Sequence, residues 1–119
     1  MAADLRSLAD EDFCYLTTVG RVSGRPHVIE IWFALGDESH ILYMLAGGRD
    51  RSDWVKNLRR NPEVTVRIAG ESFEGRARVV ERDEDALARR LLVEKYERTP
   101  GSLAGWRRTA LPVAVDLAV

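Results

Sequence analysis

The chain has 119 residues, enough for one domain, residues 1–119, with a modest core and little surface to spare. Its 18 basic and 19 acidic residues leave a net charge of −1, which removes any bulk electrostatic case for nucleic acid or a membrane surface. Cys14 is the single cysteine, so neither an internal disulfide nor a cysteine metal site is open to it. His27 and His40 lack metal-ligand spacing, and the chain reads as reduced, cytoplasmic and free of metal.

The polar, acidic N-terminus lacks the apolar centre of a signal peptide, and no run reaches membrane-spanning length, so no stable membrane insertion is expected. Asp4 to Asp10 reads as a short helix with Leu5 and Leu8 as its contact. Phe13 to Val19 alternates with period two and is rich in aromatic and β-branched residues, hence a strand. Gly20 to Arg25 is a turn. His27 to Leu35 is a second strand, with Ile29, Ile31, Phe33 and Leu35 on one face and Val28, Glu30, Trp32 and Ala34 on the other. Gly36 to Ser39 is a hairpin turn, and His40 to Ala46 a third strand antiparallel to the second.

After Gly47 to Asp53, the run Trp54 to Arg60 is a helix with Trp54, Val55 and Leu58 on one side. Asp50 or Ser52 is positioned to cap it, and Asn61-Pro62 ends it. Val64 to Ile68 and Phe73 to Glu81 are strands four and five, joined by a turn over Ala69 to Ser72. Asp83 caps a helix over Glu84 to about Arg98, which Thr99-Pro100-Gly101 breaks. Leu111 to Leu117 is the last strand. The fold class is therefore mainly β or α+β. About six antiparallel strands curl into a small barrel, flanked by two or three helices.

Two glycine-rich segments carry charge after strands: Gly20 to Arg25 and Gly47 to Asp53. The second runs into a helix start, whose N–H groups and dipole attract anions. If the barrel closes, both sit at one end and could form a phosphate or carboxylate site. Neither is a Walker A loop or a dinucleotide fingerprint. Ser23 has no triad partners near it, and Cys14 reads as a small core residue. Trp32 beside Glu30 suits a substrate site or a dimer interface equally. Arg76, Arg78, Arg89 and Arg90 read as a solvated face without the aromatics of a single-strand nucleic-acid surface.

The run Thr17-Thr18-Val19-Gly20-Arg21-Val22-Ser23-Gly24-Arg25-Pro26 resembles the signature of the deazaflavin-dependent nitroreductase family. So do Ala46-Gly47-Gly48, then Trp54 to Leu58, then Asn61 to Val66, and last Trp106 to Val113. The ordered match covers about residues 13 to 117. That family belongs to the flavin/deazaflavin split β-barrels, alongside pyridoxamine phosphate oxidase-like proteins. The resemblance implies a homodimeric oxidoreductase that uses reduced 8-hydroxy-5-deazaflavin (coenzyme F-420) to pass hydride to a quinone, nitro compound or other activated acceptor. An FMN-binding split barrel, or a non-catalytic binder of flavin, haem or lipid, are the alternatives.

By the same resemblance Arg21, Val22, Ser23, Gly24 and Arg25 form the turn that holds the cofactor's charged tail. His27, Ile29, Ile31 and Trp32 lie along the strand facing it. Tyr43, Leu45, Ala46 and Gly47 match the end of the third strand. Asp53, Trp54 and Asn57 match the closing helix. The cofactor would carry the redox chemistry, with His27, Tyr43 or water as proton donor. The chain departs from the family at Val22, His27 and Ala46, where basic or other polar residues are common, and at Glu30, where a neutral residue is usual.

Overall fold

Alternating burial along the strands, and a break where the chain must change edges, shape the sheet. The computed structural model describes residues 5–36 and 40–118. Its strands are β1 (Cys14–Val19), β2 (Pro26–Ile31), β3 (Ala34–Leu35), β4 (Ile41–Ala46), β5 (Glu63–Ile68), β6 (Glu71–Val79) and β7 (Leu111–Leu117). The helices are α1 (Asp53–Arg60), α2 (Arg82–Tyr96) and α3 (Ala104–Thr109). The expected N-terminal helix is a single 3-10 turn, Leu5–Leu8; Asp4 lies outside the described residues, as do Asp37 to Ser39 of the expected hairpin turn.

All pairings are antiparallel, in one seven-stranded sheet of order β2-β1-β5-β6-β7-β4-β3. The two edge strands, β2 and β3, are joined by Trp32 and Phe33 alone. The three residue steps from Ile31 to Ala34 span at most about 11 Å, so the sheet must curl until its edges nearly meet. The result is an α+β, split-barrel-like half-barrel. The expected second strand is thus two strands, split at Trp32. Its alternation survives the split: Phe33 and Leu35 are buried, Ile29 and Ile31 half-buried against the same core.

The barrel interior holds Cys14, Leu16, Leu42, Met44, Val66, Val113 and Val115. Cys14 is a core residue as read, its thiol pushed up to about 12 by burial. At Gly75 a Cβ would meet Val115 Cγ1 at 2.6 Å and the Asp116 carbonyl at 3.0 Å, so only glycine lets β6 lie this close to β7. On the outer face of β4, Tyr43 and Leu45 pack with Ala88, Leu92 and Tyr96 of α2. α2 begins at Arg82 rather than at Glu84, with Glu81 as N-cap, and stops at Tyr96. The segment around Trp106, left unassigned from sequence, is α3.

Arg78 departs from the expected solvated face. It grips Glu84 at 2.6 and 2.9 Å and Asp116 at 2.7 and 3.0 Å, tying the start of α2 to β6 and β7. Its guanidinium holds the Glu84 carboxyl below the usual range. Arg89 and Arg90 make i,i+4 pairs with Asp85 and Glu94, and Arg76 pairs with Glu63.

Candidate functional site

The Gly20–Arg25 turn is closed by its own backbone. Gly20 N–H donates to the Arg25 carbonyl at 2.8 Å, and Gly24 N–H to that of Gly20 at 2.9 Å. Gly24 has φ +71°, a conformation glycine adopts without strain. Ser23 Oγ accepts from Arg25 N–H at 3.1 Å and lies 3.4 Å from His27 Nε2. A Cβ on Gly20 would meet those same two side-chain atoms at 2.6 and 2.5 Å, so glycine lets Ser23 and His27 fold over the turn.

The turn docks on α1. Asn57, buried at 3% exposure, is the hub. Its Oδ1 accepts from Arg21 N–H at 3.2 Å and from the Arg21 guanidinium at 2.8 Å, while its Nδ2 donates to Thr18 Oγ1 at 3.1 Å. The guanidinium also reaches Asp53 Oδ1 at 3.2 Å. Gly20, Arg21, Val22, Ser23, His27, Asp53 and Asn57 enclose a cleft of about 260 Å³. Ser52 stands at the N-cap of α1 without making a side-chain cap, and Asp50 pairs with Arg59 instead. Arg25 has no ion-pair partner among the described residues. The two glycine segments meet only through Asp53, which ends the second and lines the turn cleft. The turn meets the first turns of α1, whereas Gly47 lies beside Trp106 and Arg49 donates to the Thr109 carbonyl at 2.6 Å, next to α3.

A second, larger cavity of about 520 Å³ opens where β2 ends. Phe13, Ile31 and Trp32 line one side, Leu45, Leu103 and Trp106 the other, and Glu30 stands among them. Trp32 stacks on Tyr96 with ring centroids 4.3 Å apart and meets Trp106 edge-on at 5.7 Å. Tyr96 fixes this wall by holding the crossing. Its hydroxyl accepts from Phe33 N–H at 3.1 Å and shares its proton between the carbonyls of Asp12, at 2.7 Å, and Phe33, at 3.0 Å. Lys95 donates to the same Phe33 carbonyl at 2.9 Å, its ammonium 3.7 Å from the centre of the Phe33 ring.

Of the site residues read from sequence, Arg21, Val22, Ser23, His27, Asp53 and Asn57 converge on the first cavity, with Gly24 and Arg25 completing the turn. Ile31, Trp32 and Leu45 line the second. Ile29 faces the barrel core, Ala46 is buried against Val55 and Leu111, and Trp54 packs between two core clusters. Tyr43 lines neither cavity. It donates to Glu84 at 2.9 Å beneath α2, and burial with that contact pushes its phenol up to about 12. Phe13, Leu103 and Trp106 as cavity walls escaped the sequence reading. A six-residue helix containing Gly105 gives no periodic signal, and Trp106 stood out only as part of a motif.

Solved structures share this architecture. A conserved hypothetical protein from Mycobacterium tuberculosis superposes with a TM-score of 0.72 at 23% identity, over 100% of this chain and 81% of that one. An F420-H2-dependent reductase gives 0.70 at 23%, over 90% and 94%. HutZ, the haem storage protein from Vibrio cholerae, gives 0.70 at 20%, over 98% and 89%. At such identities the likeness speaks for the fold alone. The sequence supplies what fold likeness does not: a match to a family model that runs from residue 3 to residue 118, nearly end to end, and by it the chain belongs to the F420H(2)-dependent quinone reductase family.

Proposed function

We propose that the chain is a cytoplasmic, homodimeric reductase that uses the reduced deazaflavin coenzyme F-420 to reduce a quinone, nitro compound or similarly activated small molecule. The observation that carries this reading is the family match over residues 3–118. The two cavities fit its chemistry. The turn cleft offers Arg21, Ser23 and His27 to an anionic tail, with Arg25 on the turn beside it. The larger cavity offers aromatic walls to a flat ring.

When bound, the reduced coenzyme supplies the hydride. The chain's own part is to bind, orient and exclude water. Asn57 fixes Arg21, so that its guanidinium is pre-oriented at the mouth of the turn cleft. Asp53, on the same cleft, neutralises part of that charge, and Val22, 93% exposed at the tip, adds none. Tail binding therefore rests on few cations. Tyr43 is committed to Glu84 and His27 stands in the turn cleft, which leaves water to furnish a proton at the ring. Leu45, Trp32 and Trp106 keep water from the flat face of a bound ring.

Separate titrations with F-420 and FMN, followed by cofactor fluorescence, test the reading. Binding of F-420, and not of FMN, is the expected result. FMN binding alone overturns it, and binding of neither leaves a non-catalytic groove.

A further inference from the structure

The larger cavity carries a charge that its apolar walls do not require. Among the described residues Glu30 is its only charged lining residue, set among Phe13, Trp32 and Trp106. Glu30 has no ion-pair partner among the described residues. One carboxylate oxygen, Oε1, accepts a hydrogen bond at 3.3 Å from Tyr15, its cross-strand neighbour. Tyr15 is itself under the Arg67 guanidinium, 4.8 Å from its ring centre, so the cation of this row sits on the far side of Tyr15 from Glu30. Trp32 and Phe13 are 41% and 37% exposed, and Trp32 and Trp106 stand at 87° to one another. Two perpendicular indoles, a phenyl ring and one carboxylate without an ion-pair partner line the same space. Those are the elements that recognise organic cations.

We propose that this cavity binds a planar, cationic aromatic molecule, with Glu30 as the residue that sets the charge preference. The carboxylate attracts the delocalised positive charge while the indoles cover its flat face. Neutral rings enter with packing alone, and anionic rings meet Glu30 as a like charge. The inference builds on the reading of this cavity as a site for a flat ring, and binding is measured without the coenzyme, so its failure and that of the reductase reading are distinguishable.

The test uses three acridines of closely similar outline on the full chain: N-methylacridinium, neutral acridine and acridine-9-carboxylate. Binding is read from tryptophan and acridine fluorescence. N-methylacridinium is expected to bind about tenfold or more tighter than acridine, and the carboxylate weakest. Glu30→Gln should bring the three to within about threefold of one another, with acridine itself little changed. Trp106→Ala should weaken all three together, a readout that locates them in the cavity. Equal affinities in the parent protein overturn the proposal, as does a cation preference that survives Glu30→Gln or a failure of all three to bind. Acridine discrimination without F-420 binding would leave the site and remove the reductase; F-420 binding without discrimination would do the reverse.

Discussion

At the scale of single residues, Asn57 and Arg21 divide structure from binding. Asn57 is buried and serves three hydrogen bonds, to the Arg21 backbone, the Arg21 guanidinium and Thr18. Asn57→Ala strands the buried Thr18 hydroxyl and frees the turn, and should cost about 2–3 kcal/mol in denaturant unfolding. Arg21 pairs with an Asp53 carboxylate that is 85% exposed, and such pairs contribute less than about 1 kcal/mol. Arg21→Ala also gives up the guanidinium bond to Asn57 Oδ1, which keeps the Arg21 N–H, and should cost no more than about 1–2 kcal/mol in unfolding while weakening F-420 binding at least about tenfold, the scale of one charge-assisted contact. Unchanged affinity would reduce the turn to a hairpin tip. A different residue stores strain. Ala69 and Gly70, the two-residue loop between β5 and β6, have φ +51° and +85°, the geometry of a type I′ turn. Glycine and asparagine suit that geometry and alanine does not. Ala69→Asn should raise stability by about 0.5–1 kcal/mol, read as a higher denaturation midpoint at unchanged slope.

At the scale of elements, the crossing from β2 to β3 is held by the C-terminal end of α2. Tyr96→Phe leaves the Phe33 N–H buried without a partner and should cost about 1–3 kcal/mol. Lys95 adds a pH dependence. Burial, its largest influence, lowers its pKa from 10.5 to about 8, against the pull of Cys14 and the acids Asp10, Glu11 and Asp12. Between those two values the unfolded chain keeps a proton the folded chain has shed, so stability rises with pH from about 8 upward. Burial holds Cys14, Tyr43 and Tyr96 protonated to about 12, whereas their ordinary values are 9.0 and 10.0. These three make stability fall as pH climbs beyond about 9, leaving the window between about pH 8 and 9 to Lys95. Denaturant titrations should show a rise there in the parent and none in Lys95→Met.

The same elements mark what a sequence reveals. Period-two alternation located β1, β2, β5 and β6, because one face of each meets the barrel core, whereas β4 and β7 are buried on both faces and carry no such alternation. It could not place the break at Trp32, since the inside-outside parity of Ile29, Ile31, Phe33 and Leu35 runs straight through it. Only the order of strands, set by long-range pairing, demands that break. The turn cleft was readable because its residues lie within a compact motif and one nearby helix. The aromatic cavity was not, because its walls come from residues 13, 30–32, 45, 103 and 106. Tyr43 was drawn into the site by its neighbours Leu45 and Ala46. It shares the outer face of β4 with Leu45, but two residues earlier along the strand it lies under α2 and bonds Glu84, so position along the strand and not parity separates the two.

At the scale of the whole molecule, the large apolar side chains left exposed gather at one edge. Val22 is 93% exposed and Val28 60%, with Phe13 and Trp32 at 37% and 41%. All four lie on β2 or flank it, and Phe13 adjoins Cys14, whose register partner is Ile31 at the far end of β2. β2 is an edge strand with β1 as its one neighbour. A six-residue edge bearing exposed valines invites a second chain, and proteins usually block such edges with charge or cover them. Here Pro26 blunts one end only. A two-fold dimer seated on β2 and the outer face of β1 would cover both valines in each copy. Sedimentation equilibrium should therefore report a dimer at micromolar concentration. Val28→Lys places a charge in the middle of that contact and should shift the protein to monomer, while its far-ultraviolet circular dichroism stays unchanged because Val28 touches no core. Val28 is not among the residues that line the aromatic cavity, so N-methylacridinium binding should persist in the Val28→Lys monomer. A parent protein that sediments as a monomer, or a Val28→Lys variant that still dimerises, would move self-association away from β2 and leave the exposed edge to another partner.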